Sequence, residues 1–85
     1  MKAVKIAVLE SEHGWGSKID DWMVCLTHED AKEFEKEFNS KNDSETVPDW
    51  YLLVIGEPEY IELTDTQYDY LFKNKRVWLS ELIKH

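Results

Sequence analysis

The stretch Asp49-Trp50-Tyr51-Leu52-Leu53-Val54-Ile55 decides the fold of this 85-residue chain. Both alternating sets of positions in it are apolar, and they are Trp50, Leu52 and Val54 on one side and Tyr51, Leu53 and Ile55 on the other. Pro48 precedes the stretch and Gly56 follows it. A short run that is apolar on both faces and bounded by turn residues predicts a central strand covered on both sides.

A β-hairpin is predicted upstream of this stretch. Residues 2–10 alternate loosely and are rich in β-branched side chains, and residues 18–26 carry apolar side chains of both parities. The segment between them contains Gly14 and Gly16, and glycine supplies the backbone angles that a hairpin loop requires. We therefore expect the first two strands to pair with each other.

The first helix is predicted to follow Thr27, which is a good N-cap residue. Acidic residues in the first turn favour this helix because they lie at its positive end. Ala31, Phe34 and Phe38 follow at helical spacing and give residues 29–39 one apolar face. We expect that face to pack on the sheet.

The second helix has the clearest start signal in the chain, because Thr64 and Gln67 form a capping box. The helix is expected to end near Asn74 and to bury the apolar residues Tyr68, Leu71 and Phe72. Residues 77–83 fit either a short helix or an edge strand, and the helix is the favoured interpretation.

These elements predict one domain over residues 1–85, with an α+β fold and the order ββαβ(β)α(α). The expected core is a small antiparallel sheet of three to four strands with helices on one face. The strand at residues 50–55 is expected to lie antiparallel beside the first strand, which gives the spatial order 2-1-3. Pro58 restricts the short segment 59–63 to a sheet edge.

The composition disfavours generic nucleic-acid binding and a membrane location. Eighteen acidic residues against ten basic ones give a formal net charge of −8, so phosphate backbones repel the chain as a whole. The single cysteine cannot form an internal disulfide, which fits a reducing cytoplasm. The apolar run near the N-terminus is too short for a membrane span and lacks a cleavage site. We expect a soluble, cytoplasmic protein that does not contact membranes.

No motif in the sequence predicts catalysis. Cys25 lies between two apolar residues of a predicted strand, so it is expected to be a small buried hydrophobe and not a nucleophile. His13 lies near several acids, but their spacing matches no metal-ligand pattern. Phosphate-binding glycine loops, GxSxG elbows and CxxC pairs are absent from the sequence. We therefore expect no enzyme, no metal and no cofactor.

Protein binding is predicted at the exposed aromatic residues. Trp15 stands between two glycines at the hairpin tip, and exposed tryptophans often anchor protein interfaces. The alternative is that Trp15 folds back over the sheet edge. His13 in the same loop, together with Tyr70 and Trp78 near the C-terminus, completes the predicted partner-binding set. The surplus of apolar faces is also compatible with a homodimer.

Charge clusters give two alternative predictions. Lys73, Lys75 and Arg76 lie beside aromatic residues, a combination that suits contact with single-stranded RNA. Basic residues also collect at helix C-termini because of the helix dipole. The acidic column at positions 29, 33 and 37 and the acids at 57–65 fit either an acidic DNA mimic or a solvated surface.

Three segments resemble small accessory proteins of T-even-like bacteriophages, namely Glu12-His13-Gly14-Trp15-Gly16-Ser17, Phe38-Asn39-Ser40-Lys41-Asn42 and Val47-Pro48-Asp49-Trp50-Tyr51. The resemblance covers about half of the chain. It implies a cytoplasmic, non-structural product that alters the infected host, often by inhibiting one host or defence protein. One such group antagonises the toxin of an RNA-linked toxin–antitoxin system.

The leading hypothesis is therefore a phage-type inhibitor that binds a host or defence protein with a basic surface. A basic nucleic-acid enzyme or a ribonuclease toxin is the expected target, and the acidic residues of the chain would steer it there. An RNA-binding accessory protein is the alternative from another class.

Overall fold

A computed structural model describes residues 1–12, 16–41, 50–54 and 56–85 of the chain. The α+β class and the small antiparallel sheet are confirmed. The elements in chain order are β1 (Lys2–Glu12), β2 (Gly16–Cys25), α1 (His28–Lys41), β3 (Trp50–Val54), β4 (Glu59–Glu62), α2 (Asp65–Asn74), β5 (Arg76–Trp78) and α3 (Leu79–Leu82).

The sheet is built around β1, the first strand. Its strand order is β3-β1-β2-β5, all neighbours are antiparallel, and β4 also pairs with β1. The first part of β1 pairs with β4 and its last part pairs with β3, so these two short strands follow each other along one side of β1. The spatial order 2-1-3 is confirmed. The prediction that residues 49–55 form the central strand is wrong, because β3 ends the described sheet and β1 occupies its centre.

The ambiguous C-terminal segment contains both of the predicted structures. Arg76–Trp78 forms β5, which pairs with the end of β2, and Leu79–Leu82 forms the short helix α3 directly after it. The sheet thus has five strands, one more than the upper limit predicted. The reason is that Val77 lies opposite Val24 and shares its buried environment, which a short apolar strand satisfies.

Helices cover both faces of the sheet, which differs from the expectation of one covered face. One core cluster combines Ile6 and Met23 with Ala31 and Phe34 of α1. The other combines Val24 with Leu71 of α2, Leu82 of α3 and their neighbours. The physical reason is that β2 is apolar on both faces at its end, so each face needs a helix against it.

The predicted helix starts are confirmed, and the predicted burial of one residue is wrong. The Thr27 hydroxyl accepts a hydrogen bond from the Asp30 N–H at 3.1 Å, and Thr64 and Gln67 form the complete capping box of α2. Phe72 was expected to be buried but is 63% exposed, because its side of α2 faces away from the sheet. No helix in the described part of the chain is long and apolar enough to cross a membrane.

Candidate partner-binding surfaces

The two predicted protein-binding residues within the described part of the chain, Tyr70 and Trp78, do not share a surface. His13 and Trp15 lie outside the described residues. Tyr70 packs against the core on the α2 side of the sheet, and its ring stacks on His85 with 3.8 Å between the centroids. Trp78 packs against the core on the α1 side. Tyr70 and Trp78 are therefore on opposite faces, and any binding role belongs to each of them separately.

Trp78 lines an open groove of about 320 Å³ at the β2–β5 side of the sheet. Its ring meets the rings of Phe34 and Phe38 edge-on, at centroid distances of 6.1 and 6.5 Å. These contacts fix the orientation of the partly exposed indole, since α1 carries both phenylalanines on its apolar face. Phe38 lines the groove together with Trp78, so part of its wall is aromatic and rigid.

Three carboxylates complete this groove, which we name the aromatic–acidic groove and which is lined by Asp20, Asp21, Phe38, Trp78, Ser80 and Glu81. Asp20 is the extra residue of a β-bulge, because the register steps from Val8–Asp21 to Leu9–Ile19. Bulges commonly redirect a side chain at the rim of a sheet. No lysine or arginine belongs to the described lining of the groove.

The charge of the aromatic–acidic groove is only weakly compensated. Asp21 accepts hydrogen bonds from the Trp22 N–H at 2.7 Å and from the Ser80 hydroxyl at 2.6 Å, and both donors are neutral. Asp20 is exposed and has no ion-pair partner among the described residues. Glu81 lies 4.0 Å from the Nε2 of His85, which is charged only when protonated. The groove is thus suited to a cationic side chain above an aromatic ring.

The sequence predicts a binding role for Trp78 but does not predict the aromatic–acidic groove. Asp20 and Asp21 are adjacent acids within a predicted strand, which is an unusual position for two charges and was the available signal. The groove lies where β2, the end of α1 and α3 meet. The Ser80 hydroxyl there donates a hydrogen bond to Asp21, a residue 59 positions away. Periodicity describes neighbours within one element, so it does not reveal such a junction.

The predicted RNA-binding residues differ in their surroundings. Arg76 donates two hydrogen bonds to Asp30, at 3.1 Å from Nε and 2.8 Å from Nη2, and a third to Glu37 at 2.7 Å. Lys73 forms an exposed ion pair with Asp69 at 3.0 Å. Lys75 is exposed at the end of α2, where its φ is 69°. Arg76 therefore fastens β5 to α1, and the exposed positive charge rests on the two lysines.

The pairing with Arg76 perturbs the titration of its neighbours. The hydrogen bonds from Arg76 lower the pKa of Asp30. The same bonds, together with the bond that Arg76 donates to Glu37, raise the pKa of Arg76. Cys25 lies nearby and is fully buried, as predicted. Burial raises the pKa of its thiol to about 12, and the negative charge of Asp30 adds to the rise. The thiol is consequently neutral at physiological pH and is a weak nucleophile.

The acidic column of α1 does not act as a uniform charged surface. Glu37 is tied to Arg76 at 2.7 Å. Lys32 lies beside the column and reaches Glu35 at 3.2 Å and Glu57 at 3.7 Å. The pair with Arg76 neutralises one member of the column, whereas the aromatic–acidic groove has no comparable cation in its described lining.

A second groove, of about 660 Å³, lies between the end of α2 and the start of α1. Leu26 and the exposed Phe72 give it apolar walls, while Lys75, Arg76 and Asp30 contribute opposite charges. The opposite charges leave this groove without a clear electrostatic preference, in contrast to the aromatic–acidic groove.

No protein-family model, curated protein or solved structure matches this chain. Within the described residues, no group of three or more His, Cys, Asp or Glu side chains is arranged to hold a metal ion.

Proposed function

We propose that this chain is a phage-type inhibitor that binds and neutralises a host or defence protein by direct contact, in the cytoplasm of an infected bacterium. The observation that carries the proposal is the aromatic–acidic groove, which Trp78 lines together with three carboxylates. The resemblance to accessory proteins of T-even-like phages supplies the biological setting. A nucleic-acid enzyme with a basic surface, such as a ribonuclease toxin, fits the charge of the groove.

The groove binds a partner by accepting one arginine or lysine side chain. The cation lies over the Trp78 ring, and a cation–π contact of this kind contributes about 0.5–2 kcal/mol. Asp20, Asp21 and Glu81 attract the same cation, and the net charge of −8 accelerates the encounter with a basic surface. This role needs no catalytic group, so the chain acts by occupying its target.

The RNA-binding alternative has less support. Its three predicted residues include Arg76, whose guanidinium is already held by two carboxylates. Lys73 is also paired with an acid. An acidic DNA mimic is weakened for a related reason, because Arg76 holds Glu37 of the acidic column and Lys32, beside the column, pairs with Glu35.

The test is an affinity pull-down of the tagged chain from bacterial lysate, with and without nuclease, followed by an inhibition assay on the captured protein. The test variant is the double substitution Asp20→Asn and Glu81→Gln, which removes two charges from the groove. The matched control is Glu29→Gln with Glu33→Gln, which removes two charges from α1. We expect one protein to be captured regardless of nuclease and to be inhibited by the wild type and the control. The groove variant should bind it at least tenfold more weakly.

Three outcomes would contradict this proposal. Capture that depends on RNA would favour the lysines at the end of α2. If the groove variant binds the target as the wild type does, the carboxylates of the aromatic–acidic groove do not contribute to the interface. A simultaneous loss of binding in Trp15→Ala would then make Trp15 the anchor. Capture of a protein whose activity stays unchanged would refute inhibition.

A further inference from the structure

The three carboxylates of the aromatic–acidic groove differ in their hydrogen bonds within the fold. Asp21 accepts through both of its oxygens. Its Oδ1 accepts from the backbone N–H groups of Trp22 at 2.7 Å and Ser80 at 3.3 Å, and its Oδ2 accepts from the Ser80 hydroxyl at 2.6 Å. Trp78, the N-cap residue of α3, makes no side-chain cap bond of its own. Asp21 therefore acts in place of a cap and holds α3 against β2.

The other two carboxylates have oxygens available for a ligand. Asp20 is exposed, and its side chain has no ion pair or hydrogen bond among the described residues. Glu81 is also exposed, and it lies 4.0 Å from the Nε2 of His85, which is too long for a hydrogen bond. Asp20 belongs to β2 and Glu81 to α3, so the two acceptors reach the groove from different elements.

Trp78 differs from two other aromatic rings of the chain in its charged neighbours. Lys5 Nζ lies 4.2 Å from the centroid of the Trp22 ring, and Lys2 Nζ lies 5.3 Å from that of the Tyr60 ring. Within the described part of the chain, no lysine or arginine lies over the Trp78 ring, whose aromatic contacts are with two phenylalanines. A cation over this indole is therefore supplied by a partner.

From these contacts we infer that the aromatic–acidic groove selects arginine over lysine on its partner. A guanidinium is flat and carries five N–H donors in its plane, so it can lie on the Trp78 ring and donate sideways to both Asp20 and Glu81. A lysine ammonium is a compact charge that is more strongly hydrated, and it gains less from a flat aromatic surface. The inference rests on the proposed function, because it names the side chain by which the groove holds its target.

The test compares capped pentapeptides that are identical except for the central residue, which is arginine, lysine or citrulline. Citrulline keeps the shape of arginine without its charge. Binding to the full chain is followed by nuclear magnetic resonance at low salt, where charge interactions are least screened. The signal is the indole N–H of Trp78, assigned with Trp78→Phe, and the indole N–H of Trp22 is the control within the same molecule.

We expect the arginine peptide to shift the Trp78 signal saturably and to bind about threefold or more tightly than the lysine peptide. The citrulline peptide should produce no saturable shift, and the Trp22 signal should stay in place. Asp20→Asn and Glu81→Gln should each weaken the arginine peptide by about threefold or more. The matched control is Glu29→Gln on α1, which removes the same charge away from the groove and should leave the affinity unchanged.

Equal affinity for the arginine and lysine peptides would overturn the inference. Binding of the citrulline peptide as tight as that of arginine, or a Trp78 signal that no peptide shifts, would overturn it as well. The peptides require no host protein, so the two proposals fail separately. A captured and inhibited target together with equal peptide affinities would refute arginine selectivity alone. Arginine-selective binding without a captured target would support the selectivity and refute the inhibitor.

Discussion

At the scale of single residues, the position of Arg76 changes how the basic end of the chain is interpreted. In the sequence it stands beside Lys73 and Lys75 and completes a basic patch. In the fold its guanidinium is shared between Asp30 and Glu37 of α1, residues 46 and 39 positions away, and lies 5.7 Å from the Phe34 ring. The paired geometry with Asp30 is the strong form of an ion pair. A charge that suggested RNA contact therefore contributes to the stability of the fold.

Replacement of Asp30 by Asn should destabilise the protein by about 1–3 kcal/mol at neutral pH, because it leaves a charged, hydrogen-bonded donor without its carboxylate. Urea unfolding monitored by circular dichroism measures the effect. The matched control is Asp69→Asn, which removes the exposed ion pair with Lys73 and should cost about 0.5 kcal/mol or less. An equal loss of unfolding free energy in the two variants would show that the Asp30–Arg76 pair stabilises the fold no more than an exposed ion pair does.

The same pair predicts how stability depends on pH. The pKa of Asp30 is lower in the folded protein than in the unfolded chain, so folding favours its charged form. The stabilisation is fully present above the ordinary aspartate pKa of about 4, and it is lost as the pH falls through the lower pKa of the folded state. The difference in free energy of unfolding between wild type and Asp30→Asn should therefore be smaller at pH 3 than at pH 7. An equal difference at the two pH values would contradict the assignment.

At the scale of elements, local sequence signals predicted the helices and the hairpin, but not how all the elements pack. Thr27, Thr64 and Gln67 marked helix starts because capping depends on residues three positions apart. The place of β3 at the end of the sheet depends on the length of β1, which pairs with two strands in succession. Apolar residues on both faces of a strand are compatible with the centre or the edge, so the pattern did not decide between them.

The candidate site was predicted only in part, for the same reason. Trp78 was selected as an aromatic residue with a binding role, and its neighbours Asp21 and Ser80 come together through tertiary contact. The sequence also placed the helices on one face, because the apolar stripe of a helix does not specify which face of the sheet it meets. Both errors concern contacts between distant segments.

Thr64 offers the clearest test at this scale. Its hydroxyl accepts from the Gln67 N–H at 3.2 Å, and the Gln67 side chain accepts from the Thr64 N–H at 3.0 Å. Thr64→Ala should lower the free energy of unfolding by about 1 kcal/mol, because an N–H at the start of α2 loses its acceptor. Thr66→Ala, in the same exposed turn, is the control and should change stability by less than about 0.5 kcal/mol. A larger loss in the control would refute the role of the box.

At the scale of the whole molecule, the net charge predicts the outcome of a test of the RNA-binding alternative. With a net charge of −8 and with Arg76 held by two carboxylates, the chain should not shift single-stranded RNA in a gel even at low salt. The double variant Lys73→Ala with Lys75→Ala should behave as the wild type does. The control is Lys32→Ala with Lys36→Ala, which removes the same charge from α1. A salt-sensitive shift that disappears in the first variant and persists in the control would make the end of α2 an RNA-binding site, because only local positive charge produces that pattern against the repulsion of the whole chain.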